Sequence, residues 1–451
     1  LDLNIREIVT SLNPLEVYNI FKDKKNSILL DSSKDDRLLS KFSFIGINEF
    51  LKFESKGNKA FINDKEITGN PFNILESLIS KYRIVEDKYD EIPFLSGCIG
   101  YISYDTCRIL EDLPNTSKED FIIPDMRFSF YDNLIIFDLI NNKKYITSLG
   151  VVKNSEKSLD EIECKIKLGV RLNEEDIEGK NKNFNSNFTK KEYKNAISKL
   201  KDYIISGDVY IANMTQRFFC DCNDDAFKIY KRLRSINKAP FSAFMNYDDF
   251  QVISSSPERF IQVKDRKVHT RPIKGTRPRG NTKEEDYKNS QELLNSEKDK
   301  AELLMVVDLE RNDLSKVCKN HSVKVTELFK LEEYATVFHL VSTVEGELKE
   351  EVSAVECIRE CFPGGSITGT PKIRAMEIIE ELEGVKRNLY TGSIGYFDLR
   401  GNSDFNIVIR TIVKKENKAY FGVGGGITYD SIEEDEYNET LDKAKALMRV
   451  L

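Results

Sequence analysis

The run FSAFMNYDDFQVISSSPERFIQV, residues 241–263, decides the fold. It packs three strand-like segments, 241–245, 251–255 and 259–263, into one short stretch, with Pro257 marking a turn before the third. Further strand-like runs at 337–344, 407–413 and 419–422 alternate unevenly with helical patterns near 284–307, 352–361, 371–383 and 433–451. Such uneven blocks favour an α+β fold on antiparallel sheet over a doubly wound parallel one. Working outward, the first 150 residues alternate short apolar runs with turn signals, as at 27–32 and 134–138, and read as strands. Residues 153–187 change character, from a charged helix with an apolar stripe to a Lys/Asn/Glu-rich stretch without periodicity. Thr189-Lys190-Lys191-Glu192 then opens a helix with capping-box spacing that runs through Leu200 and Ile205 and stops at Gly207. The expected organisation is an N-terminal region (1–150), a connector (151–187) and a continuous C-terminal region (188–451).

Composition narrows the function classes. With 40% hydrophobic and 32% charged residues the 451-residue chain has the make-up of an ordinary globular protein, and its formal charge of −7 argues against a nucleic-acid surface. No apolar run approaches the ~18 residues of a membrane span, and the segment LDLNIREIVT lacks the apolar core of a secretory signal, so a cytoplasmic location is expected. None of the eight cysteines forms a CxxC pair, which favours reduced, structural thiols over a metal finger.

Four constellations carry chemistry. Pro272-Ile273-Lys274-Gly275-Thr276 sets a lysine in a glycine-containing turn among Arg271, Arg277 and Arg279. Neighbouring cations favour a neutral, nucleophilic amine, while the bland alternative is a basic loop or phosphate patch. Asp299 with Glu302, and Glu436 with Glu439, are carboxylate pairs three apart on helices, suited to a hard cation or simply to two solvated faces. Gly422-Val423-Gly424-Gly425-Gly426-Ile427-Thr428 follows an apolar strand and offers backbone N–H groups to an anion, or is only a tight turn; it is not a dinucleotide fingerprint. Pro363-Gly364-Gly365-Ser366-Ile367-Thr368-Gly369-Thr370-Pro371-Lys372 reads as a capped helix entry whose free N–H groups also favour an anion. His339 lies in an apolar strand, where a hydrogen-bonded core histidine is the simplest reading, and Glu258 follows a proline where loop carboxylates are usually solvated.

Read in order, SSSPERF (254–260), PIKGT (272–276), VDLERND (307–313) and FPGGSITGTPK (362–372) resemble the chorismate-utilising enzymes, a family that includes anthranilate, aminodeoxychorismate, isochorismate and salicylate synthases. The resemblance is strongest over 188–451 and weaker before it. It implies a single intertwined αββα sandwich of antiparallel sheets flanked by helices, with 188–451 as the catalytic region. It also implies Mg²⁺ held directly by Glu302 and Glu439, with Asp299 (glutamate in most relatives) and Glu436 acting through water. Chorismate is expected to meet Thr276, Ser366, Thr368, Gly369, Thr370, Lys372, Tyr390, Arg410, Gly424 and Gly425. Glu258 is then an acid near the C4 hydroxyl, with His339 bordering the site. Anthranilate synthases usually carry alanine at the position of Lys274, so the lysine resembles the aminodeoxychorismate synthase branch. In that branch the lysine attacks C2, ammonia then adds at C4, and the product is 4-amino-4-deoxychorismate on the route to p-aminobenzoate and folate.

Ammonia needs a source, and the chain lacks one: Cys98 sits in Ser-Gly-Cys-Ile-Gly rather than the G-x-C-x-G elbow of a glutaminase. A separate glutaminase subunit is the expected partner. Leu30, Asp31 and Ser32, with Phe44 and Pro240, resemble the family's amino-acid pocket, with aspartate where glutamate is usual, and tryptophan is the expected ligand. The alternatives are an anthranilate synthase large subunit and a non-catalytic chorismate- or amino-acid-binding protein of the same fold.

Overall fold

The computed structural model describes residues 2–33, 39–85, 88–172, 179, 182–334 and 337–451. Its strands join in one hydrogen-bonded network that doubles back on itself to make two layers. The first arm runs Ile211–Asp221, Lys418–Ile427, Thr411–Lys415, Phe250–Ser256, Phe241–Asn246, Ile28–Asp31, each strand antiparallel to the next. Ile28–Asp31 pairs in turn with the long strand Phe42–Lys56, which pairs with Met126–Asp138. From there the second arm continues antiparallel through Gly97–Ile102, Ser393–Asp398, Ser403–Asn406, Arg259–Lys264, Lys267–Arg271 and Val337–Glu347. N-terminal and C-terminal strands therefore share both layers.

Packing follows from which face of each strand is apolar. Phe44, Tyr101, Tyr131, Met245, Val252 and Tyr396, drawn from both arms, form one buried cluster between the layers. Outside the second arm, Leu75, Leu303, Val307, Leu314 and Ile358 of three helices meet Phe128, Phe397 and Phe405. Outside the first arm, Val17, Ile229, Leu233 and Leu447 meet Ile253, Ile412 and Phe421. The order is helix, sheet, sheet, helix, as the resemblance implied. Ala226–Ile236 shows the logic of the outer layers: Asp225 caps it by accepting from the Lys228 N–H at 2.9 Å, and Phe227, Ile229, Tyr230 and Leu233 fall on one buried stripe. Each such side chain, fully buried, contributes about 1.5–3 kcal/mol.

The helix from Thr189 spans Lys190–Ile205 with the reciprocal capping box in place, and Gly207 follows at φ +85°. The connector's helix is Ser155–Lys167; residues 173–178, 180 and 181 of the connector lie outside the described residues. Three boundaries differ from expectation, each for a local reason. The helix near 284–307 is two, Lys283–Asn295 and Glu297–Val317, because Ser296 leaves the helical conformation and accepts from the Asp299 N–H at 3.2 Å. The strand expected over 407–413 begins only at Thr411: Ile407 and Val408 instead donate to Glu258 O at 3.0 Å and Gly392 O at 2.9 Å, as the chain crosses from one layer to the other. The glycine run is not a loop. It is the end of strand Lys418–Ile427, paired residue for residue with Ile211–Asp221.

Candidate active site

Where the chain changes layers, a cavity of about 610 Å³ opens between the end of the glycine-rich strand, the strand carrying Lys274 and the helices Glu297–Val317 and Glu433–Val450. Strand Ile273–Pro278 pairs with Val337–Glu347, but the register shifts between Lys274 and Thr276, where Gly275 takes φ +76°. That irregularity re-aims the lysine. Glycine is needed there twice over, since a Cβ would also lie 2.8 Å from Leu293 Cδ1 and 3.0 Å from Asp299 Cβ. Lys274 Nζ extends to 3.4 Å from the point a Cβ on Gly426 would occupy, and it forms no hydrogen bond or ion pair among the described residues.

The three arginines expected to surround Lys274 with positive charge are each paired with acids. Arg271 is paired with Glu332, Arg277 with Glu292 at 2.8 Å and Asp299 at 3.1 Å, and Arg279 with Asp286 at 2.7 Å. Two of these partners, Glu332 and Asp299, come from elements remote in sequence.

Glu258 is the buried acid of the site, 6% exposed. Burial pushes its carboxyl pKa up, and the Ser366 hydroxyl, Lys274, the Ile273 backbone and Arg410 only partly offset this. Arg410 is half-buried in the same wall at φ +50°, at the bend between layers, and reaches Asn237 Oδ1 at 3.4 Å. Burial lowers its pKa and Glu258 opposes the change. His339 is buried in the adjoining strand, with Nδ1 3.0 Å from the Thr276 hydroxyl and its ring edge-on to Tyr334. It is thus both a hydrogen-bonded core histidine and part of the cavity wall.

Carboxylates gather at the opposite end. A Cβ placed on Gly425 would stand 3.3 Å from Glu439 Oε1 and 3.4 Å from Glu436 Oε2, so these two oxygens converge on one point beside the glycine. Burial raises the Glu302 and Glu436 carboxyl pKa values, and a neighbouring carboxylate adds to each shift: Asp299 and Glu436 for Glu302, Glu439 for Glu436. Burial acts on Glu439 too, but Lys443, 2.6 Å away, with Lys274 and Lys298, brings it below the usual range. No group of three histidine, cysteine or acidic side chains is drawn together tightly enough to hold a metal among the described residues. Asp299 faces Arg277, and Glu439 faces Lys443. The donor chemistry still suits a hard cation, which would relieve the mutual repulsion of Glu302, Glu436 and Glu439. Beyond Phe421 the glycine strand has lost its partner Thr411–Lys415, so one backbone edge of 422–426 is left along the cavity.

Of the residues expected to meet substrate, Thr276, Ser366, Tyr390, Arg410, Gly424 and Gly425 line the cavity with Glu258, Lys274 and His339. Thr368, Gly369, Thr370 and Lys372 do not. The Thr368 hydroxyl donates to Gly364 O at 2.9 Å, and Gly369 and Thr370 pair with Ala212 and Ile211. Lys372 is consumed by Asp313 and by the carbonyls of Cys361 and Pro363. Sequence reasoning missed Asn213, Lys298 and Lys443 in the wall. Lys443 was legible as the i+4 partner of Glu439. Asn213 carried no local signal.

A second cavity, about 240 Å³, brings together all of Leu30, Asp31, Ser32, Phe44 and Pro240, with Tyr396 and Arg259. Asp31 is held from behind: its carboxylate accepts from Arg234 Nε at 2.5 Å, Tyr230 at 3.1 Å and Ser43 at 3.2 Å. The Ser32 hydroxyl donates to Phe42 O at 2.7 Å. Cys98 is buried in strand Gly97–Ile102, where burial raises its thiol pKa.

The family described as chorismate binding enzyme matches residues 25–449. The chain belongs to the chorismate-binding enzymes. It is 37% identical to aminodeoxychorismate synthase component 1 of Escherichia coli (strain K12), over 94% of this chain and 93% of that protein. It is also 37% identical to anthranilate synthase component 1 of Acetivibrio thermocellus, over 97% and 92%. The solved structure of anthranilate synthase component I from Streptococcus pneumoniae superposes with a TM-score of 0.82 at 31% identity, covering 92% of this chain and 93% of that one. No helix among the described residues is long and apolar enough to cross a membrane.

Proposed function

We propose that this chorismate-binding enzyme aminates chorismate to 4-amino-4-deoxychorismate, using ammonia delivered by a separate glutaminase subunit. The observation that carries this reading is the placement of Lys274, unpaired among the described residues, in one cavity with the buried carboxyl of Glu258, whose pKa is raised. Chorismate's allylic C4 hydroxyl leaves poorly unless protonated. In the proposed reaction the Lys274 amine bonds to C2 while the ring double bond shifts and the C4–O bond breaks. Glu258 gives its proton to the departing oxygen, which leaves as water, and the amine sheds a proton. Ammonia then bonds to C4, the double bond returns, and the lysine is expelled. Arg410 suits one substrate carboxylate through its planar fork, and the open backbone edge at Gly424 and Gly425 supplies further donors. Glu302 and Glu439 would hold Mg²⁺, with Glu436 and Asp299 in support, and the ion when bound supplies positive charge for the other carboxylate. Cys98 is buried in strand Gly97–Ile102, a placement unsuited to a glutaminase nucleophile, which supports a separate source of ammonia.

A second reading, amination at C2 to anthranilate, is favoured by the equal identity to relatives bearing that name. Product identity separates the two. With chorismate, Mg²⁺ and an ammonium salt the expected product is aminodeoxychorismate, and anthranilate as sole product would overturn the proposal. Glutamine should not replace ammonium for the chain alone. The second cavity is proposed as a tryptophan site on the same resemblance, with its aromatic wall as support.

A further inference from the structure

We infer that Asn213 is a positioning residue for the Lys274 amine, its side-chain amide holding the nitrogen in line with the substrate ring. The inference deepens the proposed function and rests on Lys274 being the nucleophile.

Three observations converge on the placement. Asn213 lies on strand Ile211–Asp221 directly opposite Gly426, and residues directly opposite in an antiparallel pair project from the same face with Cβ positions about 4.5–5.5 Å apart. The Cβ direction of Gly426 points at Lys274 Nζ, 3.4 Å away. Ile211, two residues before Asn213 and so on the same face, puts its Cδ1 3.1 Å from that same Gly426 point. The Asn213 side chain therefore leaves its strand on the face that meets the ammonium, with the missing side chain of Gly426 making the room between them.

The amide is held ready for such a contact. Both main-chain groups of Asn213 are committed, the N–H to Thr368 O at 2.7 Å and the carbonyl to Arg387 Nη2 at 2.7 Å, so the backbone cannot drift. Its side chain is in the cavity wall of a residue only 8% exposed, and its amide makes no hydrogen bond to the described residues. Lys274 is half-buried and, like the Asn213 amide, forms no hydrogen bond among the described residues, so the amide is free to accept from Nζ as the amine approaches the substrate ring. The amide oxygen accepts from Nζ whether the nitrogen is charged or neutral. In the neutral form this fixes an N–H toward Asn213 and leaves the lone pair free for C2. In the step it assists, the Nζ–C2 bond forms, the ring double bond shifts and the C4–O bond breaks. Oxygen leaves as water with the Glu258 proton, and one Nζ proton is released.

Two variants test this. Asn213→Leu keeps volume and removes the acceptor; Asn213→Asp keeps the acceptor oxygen. In single turnovers with chorismate and Mg²⁺ but no ammonia, the Leu variant should form the Lys274 adduct about tenfold more slowly or worse, the loss expected for one hydrogen bond to a reacting group, with chorismate affinity unchanged. The Asp variant should recover adduct formation to several-fold above the Leu variant. An equal rate in the Leu variant and the wild type, or loss of chorismate affinity matching the loss of rate, would overturn the inference. If the wild-type protein forms no adduct at all, it is the nucleophile reading that fails. The contact itself is then read separately from the rate at which trinitrobenzenesulfonate labels Lys274 in the protein saturated with chorismate and Mg²⁺, which in that case stays unreacted. That rate should differ at least twofold between the wild type and Asn213→Leu, and equal labelling refutes the contact.

Discussion

Arg387 gives the most demanding test of how the cavity is held. It and Glu383 are 2% and 3% exposed and form a bidentate pair at 2.7 and 2.9 Å, four residues apart past the end of helix Lys372–Glu383. The guanidinium also donates to Ile367 O at 2.8 Å and Asn213 O at 2.7 Å, so one side chain ties two walls of the cavity together. Glu383 in turn accepts from the Thr215 N–H at 2.9 Å and hydroxyl at 2.8 Å. Arg387→Met should leave a buried carboxylate without its counter-charge and two buried carbonyls without donors. Breaking a buried pair from one side costs about 3–5 kcal/mol. Removing the charge as well, in Arg387→Met/Glu383→Gln, keeps an acceptor for Thr215 and should restore at least about 1 kcal/mol of that loss. Urea unfolding followed by far-ultraviolet circular dichroism is the assay. The single variant should lower the midpoint by roughly 1 M, with denaturant sensitivity of about 3 kcal/mol/M or more for a chain of this size. The double variant should lie between it and the wild type. A single variant with an unshifted midpoint, or a double variant less stable than the single, would refute the claim that charge compensation at Arg387 holds the walls.

Glu310, buried with its carboxylate accepting from the Thr270 hydroxyl at 2.8 Å, has its pKa raised well above the carboxylate range by burial. A folded-state pKa above the unfolded one contributes stability at acid pH that is lost as pH rises, so Glu310→Gln should be more thermostable than the wild type, increasingly so from pH 5 to pH 8; a pH-independent difference in melting temperature would contradict this. Glu302→Gln and Glu439→Gln should each lower activity steeply and regain part of it at higher Mg²⁺, and full activity of both in a chelator-treated assay would remove them from the metal site. Because the chain contains no tryptophan, emission excited at 295 nm reports added tryptophan against a dark protein background. A saturable change in that emission, lost when Pro240 and Phe44 are replaced, is expected, and a linear response up to millimolar tryptophan would reject the pocket.

The fold was legible wherever period and turn chemistry act locally. The capping box at Thr189, the strands around Pro257 and the helices beginning near 354, 372 and 433 lie close to where their patterns put them. It was illegible where long-range pairing overrides local signals. A glycine run reads as a turn, yet Ile211–Asp221 supplies a ladder partner for every residue from Lys418 to Ile427 and makes it a strand. Ile407–Ile409 read as a strand, yet their bonds serve Glu258 and Gly392 at a change of layer. The same division runs through the site. Glu258, Lys274, Arg410 and the two carboxylate pairs were visible as motifs by resemblance. Asn213 was not, because its relation to Lys274 exists only through the pairing with Gly426 and the direction of a side chain that glycine lacks. The arginines around Lys274 misled for the converse reason: their charges were visible, and the acids that neutralise them, above all Glu332, were not.

The measurement closest to the central claim is the intact mass of the protein after incubation with chorismate and Mg²⁺ in the absence of ammonia. The account predicts a species heavier by chorismate less one water, mapped by proteolysis to the peptide containing Lys274, which disappears when ammonium is added and aminodeoxychorismate accumulates. Lys274→Ala should show neither the adduct nor appreciable aminodeoxychorismate. An unmodified wild-type mass throughout turnover, or an alanine variant that makes aminodeoxychorismate at the wild-type rate, would contradict the account and leave Lys274 as no more than a charge beside the substrate.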